Sequence, residues 1–277
     1  MALVIQTNVA SLQAQKNLNR SQVALGVSFN RLSSGNRINS AKDDAAGLAI
    51  SESMKNQVRS YTVAERNAND AVSMAQTAEG ALGEVGNIIG RMRELAVQGA
   101  NGGVQSSDRD FMQTEFTQMQ AEVKRIMTAT KFNGKQLITS AGGTANSIAF
   151  QVGINNTADD RISVSFGGIA LQSLTATARV NSGAGNAQSA ITTIDSALAK
   201  VSTARARFGA AINRFEITTS NIQTARLNIS AAASRIKDVD VAEETASLSR
   251  NQVLSQAGTS VLSQANSAPQ SALMLIR

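Results

Sequence analysis

Apolar residues recur at every seventh position along the last third of the chain. Ile194, Val201, Phe208, Phe215, Ile222, Ile229 and Ile236 form one unbroken series. Four residues after each of the first six stand Leu198, Arg205, Ile212, Thr219, Arg226 and Ala233, half of them apolar. A sustained seven-residue repeat keeps one stripe of an α-helix turned toward a partner helix, so the pattern predicts a long coiled-coil helix. Arg205, Thr219 and Arg226 interrupt the stripe and either set register or, for the two arginines, run their charged ends to its edge. The first half of the chain carries a matching stripe. Tyr61, Ala64, Ala68, Ala71, Ala75, Ala78, Leu82, Val85, Ile89, Met92 and Ala96 are spaced alternately three and four apart. Its small side chains let a helix bearing Phe and Ile approach closely, large residues facing small ones. The predicted helix runs from about residue 45 to 99, roughly 80 Å at 1.5 Å per residue. Gly86, Gly90 and Gly99 lie within it or at its end and cost about 1 kcal/mol each relative to Ala.

Between these arms the pattern changes. Asn101-Gly102-Gly103 is a turn signal, and Ser107-Asp108-Arg109-Asp110 has the form of a capping box with Asp in place of Glu. Met112, Phe116, Met119, Val123 and Ile126 follow at helical spacing, predicting a shorter helix that folds back on the first. Asn133-Gly134 predicts a two-residue hairpin turn. Ile148, Phe150, Val152 and Ile154 alternate, as do Ile162, Val164 and Phe166, and both runs read as strands. The stretch from Thr139 to Ala199 is Gly-rich, and its only charged residues are Asp159, Asp160, Arg161, Arg179 and Asp195. Gly167-Gly168 and Gly183-Ala184-Gly185 read as turns, since neither is followed by the Lys-Ser/Thr of a phosphate loop. The outer ends carry a weaker helical pattern: Leu18, Leu25, Phe29 and Leu32, then Leu248, Val253, Leu254, Val261 and Leu262, ending in Leu273-Met274-Leu275-Ile276. On a monomer this tail would be an exposed apolar patch, the mark of a partner surface. The expected fold class is mainly α: a long antiparallel helical coiled-coil bundle formed by the N- and C-terminal segments, with a small central β-hairpin region.

Composition narrows the function. The 277 residues include neither Cys nor His, which excludes disulfides, thiolate chemistry, structural zinc and imidazole acid–base catalysis. Aromatics are 3% of the chain, so the core must be built from Ala, Leu, Ile, Val and Met, and a lone proline, Pro269, leaves long helices unbroken. Asp43-Asp44 is the nearest thing to a paired-carboxylate site. With no further acid close by in sequence, it reads as a helix start, Ser40 capping and the acids at the positive end of the dipole. Met112 and Met119 read as core. The net charge of +6 is mixed along the chain rather than gathered on one face, which argues against nucleic acid. No apolar run is long enough to cross a bilayer. Polar faces rich in Asn, Gln and Ser rather than Lys and Arg argue against a membrane-surface helix. The first residues have neither a basic region nor a long apolar run, so no cleaved signal peptide is expected. No enzyme, metal or cofactor is expected.

The stretch Arg31-Leu32-Ser33-Ser34-Gly35-Asn36-Arg37-Ile38-Asn39-Ser40-Ala41-Lys42-Asp43-Asp44-Ala45-Ala46-Gly47 closely resembles the N-terminal signature of bacterial flagellins. Arg66-Asn67-Ala68-Asn69-Asp70 and Arg91-Met92-Arg93-Glu94-Leu95-Ala96-Val97-Gln98 extend the resemblance. Ser234-Arg235-Ile236, Gln256-Ala257-Gly258-Thr259-Ser260-Val261-Leu262 and Gln264-Ala265-Asn266 carry it at the other end. It covers roughly residues 1–138 and 190–277.

The resemblance implies a structural subunit that polymerises into the flagellar filament used for swimming, with a hook–filament junction or other flagellin-like accessory protein as the alternative. It implies that 1–44 and 235–277 pair as helices of the inner filament tube, that 45–130 and 190–234 form the outer tube, and that 131–189 is a short β/turn region facing outward. Many family members carry extra domains there, so this chain has the form of a minimal flagellin. By the same resemblance, Arg91, Arg93, Glu94, Leu95 and Glu115 make contacts between neighbouring protofilaments, and a Toll-like receptor of animals recognises the same surface. Gly90 departs from the bulkier polar residue common at its position. The resemblance further implies export through the flagellar type III apparatus and an extracellular location. It implies a chaperone covering the terminal segment with Val261, Leu262, Leu273, Leu275 and Ile276, and cap and hook-junction proteins as further partners.

Overall fold

Helices dominate the chain, and their boundaries follow the hydrophobic stripes. The computed structural model describes residues 7–138, 146–176, 178–181 and 183–274, with side chains in the last helix described as far as residue 267. In chain order the elements are α1 (Val9–Ser34), α2 (Ala45–Gly99), α3 (Ser106–Ala129), β1 (Lys131–Phe132), β2 (Lys135–Gln136), β3 (Asn146–Gln151), β4 (Arg161–Phe166), α4 (Gln172–Ala176), α5 (Ala184–Lys237) and α6 (Val241–Met274). They form two compact units, residues 59–226 and residues 1–58 with 227–277.

In the unit 59–226, α2 and α5 are antiparallel. The cross-helix pairs Glu65–Arg226, Glu79–Arg205 and Arg93–Asp195 climb α2 as they descend α5. Every predicted stripe residue of α2 from Ala64 to Ala96 is buried, and so are Ile194, Val201, Phe208, Phe215 and Ile222. Gly86 and Gly90 do not interrupt α2.

The second stripe on α5 differs from expectation. Leu198 and Ile212 are half-buried and Arg205 is exposed, whereas Ala197, three residues after Ile194, is buried. Ala204 and Ala211 continue that row against the core. The α5 seam thus sets an alanine three residues after Ile194, Val201 and Phe208, with Thr218 in that place after Phe215. The alanines leave room for the large residues of the facing helix, and the large residues fill the space between the two helices.

The polar breaks sort themselves by side-chain length. The Arg205 guanidinium reaches the rim and donates to Glu79, with Nη2 2.7 Å from Oε1. Arg226 Nη1 lies 2.6 Å from Glu65 Oε2, and Gln223 donates to the same carboxylate at 2.8 Å. Thr219 is too short to reach the rim, and its buried hydroxyl finds no hydrogen-bond partner. Such a hydroxyl costs about 1–3 kcal/mol.

Helix α3 folds back along α2, burying Phe116, Val123 and Met127 with Met112, Met119 and Ile126 beside them. The expected capping box does not form. The N-cap is Gln105, without a side-chain cap, and Ser107 lies inside the helix. Arg109 holds the start instead: its guanidinium donates to the carbonyls of Gly99 and Asn101, each at 3.0 Å, tying the first turn of α3 to the end of α2. Gly99 is required by close approach, because a Cβ there would collide with the Val180 side chain.

At the β1–β2 hairpin, Asn133 and Gly134 take φ of 47° and 79°, the left-handed pair a two-residue turn demands. Strands β3 and β4 pair antiparallel from Asn146↔Phe166 to Gln151↔Arg161. Their inward face meets the aromatic part of α5: Phe150 packs edge-on against Phe215 at 5.6 Å between ring centroids, and Phe166 stacks on Phe208 at 5.4 Å.

In the other unit, α1 and α6 are antiparallel. Asn8 Nδ2 donates to the Ala265 carbonyl at 2.7 Å, and Ser11 Oγ lies 2.6 Å from Asn266 Oδ1. Their seam mixes small and polar residues with half-buried leucines. Ser28 is the buried residue of α1, and Gly258 lies against Leu18. Leu18, Leu25 and Leu32 are half-buried, but Phe29 faces away from the seam and is 61% exposed.

The link between α1 and α2 explains most of the 31–47 signature. Gly35 ends α1 in the left-handed conformation at φ 70°. Arg37 donates its backbone N–H to the Lys237 carbonyl and its Nη2 to the Ile236 carbonyl at 2.7 Å, satisfying the end of α5. Ile38 is buried. Asp43 accepts hydrogen bonds from the amides of Ser40 and Asn39 and from the Ser40 hydroxyl. These bonds, the Ser40 amide first, hold its carboxyl below the usual carboxylate range. A depressed carboxylate supports the turn above its unfolded pKa, and that support is lost only as pH falls through the lowered value. The expected Ser40 cap is not the one observed: Asp44 caps α2, accepting from the Gly47 amide at 2.8 Å. Ser40 stands too far before Ala45 and braces Asp43 instead.

This packing predicts a strong contrast between seam and rim. Phe215→Ala should cost about 3–5 kcal/mol of stability, and Glu79→Ala, on the exposed rim, under about 1 kcal/mol. Chemical denaturation of each variant checks both, and equal costs would contradict the packing.

Candidate functional site

Two surfaces follow from this architecture. The first lies on α2 and α3. Arg91 and Glu94 are one turn apart, and Arg91 Nη1 contacts Glu94 Oε2 at 2.8 Å. The same guanidinium donates Nε and Nη2 to Glu115 Oε1 on α3, at 3.2 and 3.1 Å. One arginine therefore clips α2 to α3 and leaves two carboxylates on an exposed face. Arg93 points the other way, with Nε 2.7 Å from Asp195 Oδ1 on α5. These bonds, to Glu94 and then Glu115 for Arg91 and to Asp195 for Arg93, raise both arginine pKa values above the ordinary one, so both stay cationic.

Of the five residues expected here, Arg91, Glu94 and Glu115 come together, while Arg93 joins a separate pair. Leu95 is a different matter: at 3% exposure it belongs to the core, so it holds the helix in place and presents no side chain to a partner in this structure. Its position in the α2 repeat, three residues after Met92, carries that information. Asp195 was not anticipated. Its isolation in a charge-poor stretch was the one available signal, and only the antiparallel register shows that it faces Arg93.

The second surface is the outer side of α1 and α6. Val9, Leu12, Val23, Val27 and Phe29 on α1, and Val241, Val253, Leu254 and Val261 on α6, are exposed. Leu262 is half-buried. Leu275, Ile276 and the side chain of Leu273 lie outside the described residues. A cavity of about 650 Å³ in this unit is lined by Arg31, Arg37 and Arg235 on one side of the charge balance and Asp238, Asp240, Glu243 and Glu244 on the other. Opposite charges distributed in this way define no ligand of one sign. Among the described residues there is no cluster of metal-binding side chains and no helix long and apolar enough to cross a membrane.

Comparison with known proteins gives a consistent picture. Residues 5–142 match the family of the bacterial flagellin N-terminal helical region, and residues 191–276 that of the C-terminal helical region. A flagellin of Xenorhabdus nematophila is 42% identical over 318 aligned positions that cover 100% of both chains. The B-type flagellin of Pseudomonas aeruginosa is 52% identical over 155 residues, 56% of this chain and 31% of that protein. In fold alone, the chain is similar to the structure of a putative flagellar hook-associated protein from Vibrio parahaemolyticus. That likeness covers 71% of this chain and 100% of the other, with a TM-score of 0.60 and 14% identity.

The Arg91 clip is solvent-exposed, so salt should screen it. Glu115→Gln should leave the denaturation midpoint almost unchanged at high salt, with a small loss at low salt. A large loss that persists at high salt would show that the clip carries the fold of α3.

Proposed function

The chain belongs to the bacterial flagellin family and is a structural subunit of the flagellar filament, not an enzyme; on that premise we propose that the exposed apolar side of α1 and α6 is the surface that neighbouring subunits bury as the filament grows. The observation that carries this reading is the mismatch within that helix pair. Its internal seam mixes Ser28, Gly258 and Ala265 with the half-buried Leu18, Leu25, Leu32, Leu248 and Leu262, while Val9, Leu12, Val23, Val27 and Phe29 of α1 and Val241, Val253, Leu254 and Val261 of α6 face outward. Full burial of such a side chain is worth about 1.5–3 kcal/mol. The pair alone leaves most of that unrealised, so the missing stabilisation must come from other copies. A contact that joins different faces of successive copies without closing a ring produces a helical filament.

In this reading 1–44 and 235–277 make the inner tube, 45–130 and 190–234 the outer tube, and 131–189 the outward β/turn region. Arg91, Glu94 and Glu115 form a contact to a neighbouring protofilament, Arg93 and Leu95 setting the α2 face beneath it. On free subunits the same charged surface is the one an animal Toll-like receptor would engage. Before assembly, an export chaperone covers the terminal segment containing Val261, Leu262, Leu273, Leu275 and Ile276. The subunit leaves the cell through the flagellar export apparatus, meets cap proteins at the tip and hook-junction proteins at the base, and functions outside the cell. No separate observation favours a junction or accessory role for the chain itself.

Removal of residues 240–277 tests the reading. The truncated chain should fail to form filaments from seeds in electron micrographs, while the unit 59–226 keeps its cooperative unfolding transition. Normal filaments from the truncated chain would contradict the proposal.

A further inference from the structure

The unit 59–226 carries an exposed knob beside the C-terminal end of α2 and an unfilled groove far back along the same helix. The knob is Phe111, in the second turn of α3 and 75% exposed, an unusual position for an aromatic in a chain with so few of them. Val97, also exposed, stands at the same end of α2. The groove, about 410 Å³, lies between α2 and the loop after β3, and Val63, Ala64 and Ile154 give it apolar walls. No charged side chain lines it; Ser60, Asn67, Gln151, Asn155 and Asn156 complete the rim.

The groove is also stiff. Asn67 Nδ2 donates to the Gln151 carbonyl at 3.0 Å, pinning β3 to α2. Gln151 Nε2 donates to the carbonyls of Gly153 and Asn155, and the Val152 and Gly153 amides both donate to the Asp160 carbonyl. Gly153 has no room for a Cβ, which would overlap the Asp160 side chain. A wall braced in this way loses little conformational freedom when occupied.

Val63 and Val97 are on the same continuous helix, 34 residues apart, hence about 50 Å at 1.5 Å per residue. Phe111, at the Val97 end, cannot reach the groove of its own chain. We propose that Phe111 of one subunit seats in the Val63–Ile154 groove of the next, as an apolar anchor for head-to-tail contact along the filament; this rests on the filament reading above. A single apolar residue complementary to a groove elsewhere on an identical molecule makes a heterologous contact, which propagates rather than closes. A buried aromatic at the centre of an interface is also the type of residue that dominates its energy.

The chain has no cysteine of its own, so introduced thiols report only the designed contact. Phe111→Cys and Val63→Cys, separately and together, are grown into filaments with an equal share of wild-type chain and treated with a short bis-maleimide cross-linker. The double variant should give a ladder of covalent multimers, and each single variant only monomer. In parallel, Phe111→Ala should raise the critical concentration for seeded polymerisation at least tenfold, and Phe111→Leu should recover most of that loss. Filaments without a ladder, cross-linked dimers from Phe111→Cys alone, or an unchanged critical concentration for Phe111→Ala would each overturn the knob-and-groove contact while leaving the filament reading intact. Failure of the wild-type chain to polymerise at all would overturn both.

Discussion

The side-chain packing of α2 against α5, alanine on one side and Ile, Val or Phe on the other, is the interaction on which the rest of the unit 59–226 depends. Ala64, Ala68, Ala71, Ala75 and Ala78 offer no volume of their own, so α2 can lie near α5 only where α5 supplies large residues, and it does so at Phe208, Phe215 and Ile222. Toward the other end α2 becomes bulky, with Leu82, Val85, Ile89 and Met92, while α5 carries Ile194 and Val201 between Ala187, Ala190 and Ala197. Volume is exchanged between the helices along their length, and packing stays dense with Tyr61 as the one aromatic residue of α2. The small sheet β3–β4 contributes Phe150 and Phe166 where α5 presents Phe208 and Phe215. Helix α3 covers the bulkier end of α2 with Phe116, Val123 and Met127.

Stability is therefore unequal along the chain. The unit 59–226 buries its large side chains within itself, while the α1–α6 pair fully buries only Ser28, half-buries its seam leucines and exposes most of its valines with Leu12, Leu254 and Phe29. For a subunit that is made, moved and then assembled, this division has a physical logic. A segment short of internal burial stays reluctant to fold alone and becomes ordered when copies cover it. The joint at residues 35–47 and 236–239 is built differently again. Backbone and carboxylate hydrogen bonds dominate it, with Ile38 its one fully buried apolar residue.

Much of this was legible in the sequence, because long helices with a constant repeat leave the strongest of all sequence patterns. The span of α2, the body of α5, the Asn133-Gly134 hairpin and the paired strands follow from spacing alone, but α5 begins at Ala184 and takes in Gly185, where a turn was expected. What was not legible depended on choices between neighbouring residues. Ala197 and Ala211, three after Ile194 and Phe208, were overshadowed by Leu198 and Ile212 one position later. Ser107 and Ser40 had the right chemistry for caps, but Arg109 and Asp44 were better placed. At the charged surface, the family resemblance marked Arg91, Glu94 and Glu115, yet the partner of Arg93 required the antiparallel register. The family signature drew Leu95 into the contact, whereas its place in the α2 repeat assigns it to the core. Phe29 and Phe111 show the converse: both look like core residues by type and both face solvent.

Amide hydrogen exchange, followed by residue in free subunits and again in assembled filaments, tests the central claim most directly. The α2 and α5 amides within 59–226 should be strongly protected in both states. Those of α1 and α6 should exchange rapidly in the free chain and become protected on assembly. Equal protection of α1 and α6 in the free subunit would mean that the pair is complete by itself, and would contradict the account of why the chain assembles.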